Sequence, residues 1–150
     1  MKLLRVLAIA AATGRIGHAV IVGEKLLDWG LSRKASRSPE LAAVYAQKLI
    51  DVLHPDVVVT EDILRTSTKS SKTRHMINAI ARVAEQAPLL DIRMKRSRDF
   101  PNKYEKAAHL ATRFPEIAAW VPRSRRIWEP EPRNTILFEA LSLACMAMEK

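Results

Sequence analysis

The chain has 150 residues, 48% of them apolar and 27% charged, with a formal net charge of +9. That length suits one compact domain spanning 1–150, and four glycines with eight prolines leave little room for disordered linkers. No apolar run approaches the roughly 20 uncharged residues that cross a bilayer, and the opening MKLLRVLAIAAATG lacks the length and sequel of a secretory signal, so no membrane partner is expected.

LLRVLAIA (3–10) is a mostly apolar run, and AVIV (19–22) and LLDWGLS (26–32) are two more with strand character. Only residues 13–17 and 23–25 lie between them, which is hairpin length, so the three strands are predicted to form an antiparallel meander. Ser38-Pro39-Glu40 supplies an N-cap, a first-turn proline and a carboxylate at the positive end of a helix. In that helix Leu41, Val44, Tyr45, Leu49 and Val52 recur at helical spacing and predict its buried stripe, and His54-Pro55 ends it. DVVVT (56–60) is the most strand-like segment, of the kind that joins a parallel pair after a helix. Residues 65–74 read as a basic loop, followed by a helix to about residue 86. LLDIRM (89–94) is a fifth strand, 102–112 a helix broken by Phe114-Pro115, and 135–148 the last helix. The order predicts an α/β fold: one mixed five-stranded sheet, three antiparallel strands then parallel ones, flanked by helices on both faces.

Glu139 is the odd residue of TILFEALSLACMAM, whose circumference must be mostly buried. A buried carboxylate needs a partner, so Glu139 either salt-bridges one of the arginines nearby, lies on a narrow exposed stripe, or ligates a hard cation. Glu61 follows VVVT at the carboxyl end of a central strand, where α/β sheets place ligand groups, with an ordinary loop acid as the alternative. Two such carboxylates could bind Mg²⁺, which takes few protein oxygens, for phosphodiester chemistry. His18, His54, His75 and His109 show no metal-ligand spacing, and Cys145, the single cysteine, reads as a core residue that can form no intramolecular disulfide. A cytoplasmic location follows as the expectation.

The positive charge points to nucleic acid as partner. It gathers at Lys69, Lys72 and Arg74, at Arg93, Lys95, Arg96 and Arg98, and at Arg123, Arg125 and Arg126. No base-reading motif accompanies these clusters, so contact with the backbone is expected.

VLAIAAATGRIGHAVI (6–21), LLDWG (26–30), IDVLHPDVVVTE (50–61) and FEALSLA (138–144) together resemble the ordered motifs of the RuvC-like Holliday-junction resolvases of the ribonuclease H-like superfamily. The resemblance implies a Mg²⁺-dependent endonuclease, with Mn²⁺ as a substitute ion, that cuts branched DNA as a homodimer. It assigns metal and catalytic roles to Glu61 and Glu139. It also implies an aspartate at the end of the first strand, where this chain has Ala10, and a further acid where it has Ile136, with Glu131 a weak substitute. Alanine cannot ligate a metal, so the expectation is a chain that binds nucleic acid and cuts it poorly or not at all. A non-catalytic nucleic-acid-binding module and a ribonuclease acting on structured RNA are the alternatives.

Overall fold

The computed structural model describes residues 3–62, 70–95, 102–123 and 132–149. Strands β1 (Arg5–Ala12), β2 (Arg15–Val22) and β3 (Lys25–Ser32) pair antiparallel in sequence, each hairpin turning on two residues. Gly14 (φ +78°) and Gly23 (φ +60°) supply the left-handed backbone these reversals need. The expected connection over 13–17 shrinks to Thr13-Gly14, and β2 resumes at Arg15. The buried Arg15 guanidinium donates to the Thr13 carbonyl at 3.0 Å and to the Thr135 hydroxyl at 3.3 Å, so it tethers the start of β2 to the last helix.

Helix α1 (Pro39–Leu53) opens as expected, the Ser38 hydroxyl accepting from the Leu41 N–H at 3.1 Å. It closes on His54, whose left-handed backbone donates its N–H to the Ile50 carbonyl. Strand β4 (Val57–Glu61), helix α2 (Ser71–Gln86) and strand β5 (Leu90–Met94) follow. β4 lies parallel beside β1 and β5 parallel beside β4, giving the sheet order β3-β2-β1-β4-β5. The mixed five-stranded sheet is therefore the architecture observed. α2 starts earlier than expected, so Lys72 and Arg74 are helical rather than loop residues.

Strand alternation divides the core into two layers. Leu7, Ile9, Ala11, Ile16, Val20 and Val58 face α1 and α2, while Val6, Ala8, Ala10, Ala19, Val57 and Val59 face the other side. Helix α3 (Lys103–Arg113), a 3-10 turn over Pro115–Trp120 and helix α4 (Thr135–Met148) cover that second side. One expectation is corrected: Val44 and Val52 do not belong to the buried stripe of α1, each being 64% exposed. The buried line is Ala42, Ala46 and Ile50, because two alanines let α1 lie close against its neighbours and turn the valines outward.

α4 is buried continuously from Thr135 to Cys145. It sits unusually close to the sheet over Gly17, where an added Cβ would stand 2.8 Å from Ile136 Cγ2 and 2.9 Å from the Ile136 carbonyl oxygen. Among the described residues no helix is long and apolar enough to cross a membrane.

Candidate active site and nucleic-acid interface

Ala10 pairs with Gly17 across the β1–β2 ladder and belongs to the core layer under α4, in one cluster with Ile136 and Ala140. β1 and β4 run parallel with Val6, Leu7 and Ala8 level with Val57, Val58 and Val59. Carrying that offset two residues further places Ala10 level with Glu61. Because Val57 and Val59 face α4, alternation directs Glu61 to the same face. Glu61 is buried at the end of β4, opposite Met94 of β5.

Glu139 lies on α4 three residues beyond Ile136, just short of one turn and about 60° round the helix from it. It is 8% exposed, and the Lys106 ammonium, 6% exposed, approaches its two carboxylate oxygens at 3.4 and 3.5 Å. Among the described residues Glu139 forms a buried ion pair with Lys106. Removing one partner of such a pair leaves a buried charge uncompensated, at a cost of about 3–5 kcal/mol. The position where a further acid was expected, Ile136, is buried and apolar, and Glu131 lies outside the described residues.

Lys106 went unrecognised in the sequence. Its signal was helical phase: Lys106, Ala107 and Leu110 share the inward face of α3, so a lysine there must enter the core. His18 gave a similar signal, alternating with Ile16 and Val20 on a buried strand face. It lies on the side away from Glu139, bridging Tyr45 (Nδ1 to the hydroxyl, 2.9 Å) and Asp28 (Nε2 to Oδ2, 2.8 Å). Burial, and secondarily the Asp28 charge, push the Tyr45 hydroxyl above its ordinary pKa, so it stays protonated beside the ring.

The basic candidates divide. Lys72 and Arg74 occupy the first turn of α2, which holds no acid, and Lys95 is exposed just beyond β5. Cations at a helix N-terminus oppose the dipole and cost about 0.3–1 kcal/mol each, yet they combine with its free N–H groups into a phosphate-attracting surface. Both places lie at the carboxyl ends of β4 and β5, the edge at which Glu61 sits. Arg93 instead forms an ion pair with Glu85. Lys69, Arg96, Arg98, Arg125 and Arg126 lie outside the described residues.

No protein-family model and no curated protein matches the chain. Solved structures do. The fowlpox virus resolvase in complex with Holliday junction DNA superposes with a TM-score of 0.65 at 13% identity, over 97% of each chain. Thermus thermophilus RuvC gives 0.58 at 15% identity, over 97% of this chain and 96% of its own. The yeast mitochondrial Holliday junction resolvase gives 0.52 at 12% identity, over 95% and 77%. The sheet order, the helices on each face and these superpositions together make this the ribonuclease H-like fold of the RuvC-type Holliday junction resolvases.

Proposed function

We propose that this protein binds branched DNA on the scaffold of a structure-selective, metal-dependent endonuclease, and that the chain bearing Ala10 binds its substrate without cutting it. The observation that carries the reading is that the β1–β4 register and strand alternation turn Glu61 and position 10 toward the sheet face that α4 covers, with Glu139 buried on that helix. The basic first turn of α2 and Lys95, at the same sheet edge, support backbone contact with the DNA. The described residues alone do not make a divalent-ion site. Among the described residues no three His, Cys, Asp or Glu side chains gather to hold one, and one of the two carboxylates is engaged by Lys106. No hydrolytic step is therefore assigned to the chain as it stands.

The test has two arms. The wild-type protein is titrated with a four-way junction, a flap, a duplex and structured RNA at two salt concentrations. It should hold the junction roughly tenfold more tightly than the duplex, with a steep salt dependence. Ala10→Asp is then assayed for cleavage of the same substrates in Mg²⁺ or Mn²⁺. Junction preference with cleavage regained supports a silenced endonuclease, and a preference for RNA moves the substrate class. Equal affinity for all four sinks the proposal. The second reading, a module that never cuts, is favoured by the Lys106–Glu139 pair and would be selected by tight junction binding with no cleavage by Ala10→Asp. Two symmetric strands to engage imply a homodimer, which sedimentation of the protein with and without junction measures.

A further inference from the structure

We propose that the Trp29–Trp120 pair is a stacking platform for an unpaired nucleobase of the DNA strand that runs past position 10. The inference deepens the branched-DNA reading and rests on it for the path of the strand. The two indoles meet edge to face, with centroids 5.1 Å apart and planes at 80°. Such a pair uses only one of its four ring faces. Trp29 is partly buried against the core layer under α4, whereas Trp120 is 39% exposed, so the open indole surface belongs to Trp120. Its seat is fixed at both ends. Glu116 accepts from the Leu26 N–H at 2.9 Å and clamps the 3-10 turn to the edge strand β3, and Asn134, just before α4, donates to the Trp120 carbonyl at 3.1 Å. A ring held this way loses little freedom when a base stacks on it.

The strand register places the pair beside the candidate site. Trp29 is level with Ala19 and Ala8, and Leu31 with Gly17 and Ala10, on the same sheet face. Two strand spacings across and two residues along put Trp29 about 12 Å from position 10, about three or four nucleotides along a stacked strand. The flanking charge has the right sign. Arg123, the described member of the third basic cluster, follows Trp120 by three residues, Arg133 adjoins Asn134, and both are exposed. An aromatic face between guanidinium groups is the combination that binds a single strand, the base stacking while its phosphates are neutralised.

The probes are an oligothymidine dodecamer and an abasic dodecamer carrying the same phosphates, compared by fluorescence anisotropy at one salt concentration. The wild-type protein should hold the thymidine strand at least about fivefold more tightly. Trp120→Ala should bring that ratio close to one while leaving the affinity for the abasic strand within about twofold, and Trp120→Phe should keep most of the preference. Equal affinity of the wild-type protein for the two strands overturns the proposal. So does a Trp120→Ala variant that weakens both strands alike, as a merely structural role would, or one that keeps the full ratio. If Trp120→Ala does not fold, fluorine NMR of fluorotryptophan-labelled protein decides, the Trp120 resonance being identified by its loss in Trp120→Phe. A shift of that resonance with the thymidine strand alone supports stacking, and the same response to both strands, or none, refutes it. Tight junction binding with equal affinity for the two dodecamers defeats the platform and leaves the branched-DNA reading standing. A preference for the thymidine strand without a preference for the junction over duplex does the reverse.

Discussion

Gly17→Ala probes the seat of α4, and through it the placing of Glu139. In an open strand position, replacing glycine by alanine stabilises a protein by about 0.4–1 kcal/mol through the unfolded chain. Here the sign should reverse. The new Cβ would stand 2.8 Å from Ile136 Cγ2, about 0.7 Å inside ordinary carbon contact. It would also stand 2.9 Å from the Ile136 carbonyl oxygen and 3.1 Å from the carbonyl carbon, atoms that no rotamer change removes. The helix itself must shift, in a layer buried without interruption to Cys145. Overpacking of this kind costs about 1–3 kcal/mol. Urea unfolding should show the midpoint lowered with the slope unchanged. Ile136→Ala in the same chain should relieve only the methyl overlap, so the strain against the carbonyl persists in the double variant. A Gly17→Ala protein as stable as wild type or more so would refute the close approach of α4 to the sheet. The Lys106–Glu139 distances, already at the long end of hydrogen bonding, should change with the helix, which the Lys106 side-chain NMR signals would register.

Three further outcomes are expected. His18→Ala removes the bridge between Tyr45 and Asp28 and should cost about 2–3 kcal/mol, against about 1 kcal/mol for Tyr45→Phe; thermal unfolding of both variants checks the ordering. Burial raises the Cys145 thiol from 9.0 to about 11 and pushes the Tyr45 hydroxyl up too, so the folded state keeps protons that the unfolded chain releases. That stability is complete below about pH 8.5 and is lost toward pH 11, about 3 kcal/mol for Cys145 alone. Urea midpoints at pH 8 and pH 10.5 should therefore converge partly in Cys145→Ala, and an unchanged alkaline loss would exclude the thiol as its source. Lys69→Ala/Lys72→Ala should weaken junction binding and lower the salt slope by about 2, measured by fluorescence anisotropy across a salt series; unaltered affinity removes that surface from the interface.

The meander was legible because two-residue turns leave consecutive strands no choice but to pair, and Glu139 was legible because a lone carboxylate in an apolar helix is conspicuous. Elsewhere hydropathy misled. In α1 the sequence reading followed the bulkier Val44 and Val52, whereas the helix turned on Ala42 and Ala46, where smallness rather than hydrophobicity decided the contact. Lys106 was hidden by its neighbours: α3 carries Lys103, Glu105 and His109 as well, and only the phase shared with Ala107 and Leu110 distinguishes the inward lysine from the solvated charges. Placing Glu61 level with position 10 needed the β1–β4 register, which joins segments some fifty residues apart and has no local signal.

Because the sheet face carrying Ala10 is covered by α4, this layer joins β1 to a helix far along the sequence. During synthesis the first three strands emerge early, and this face stays incompletely covered until residues 135–148 leave the ribosome. A fragment ending near residue 134 should accordingly be a client of chaperones or an aggregate, and the α4 peptide added in trans should restore its solubility.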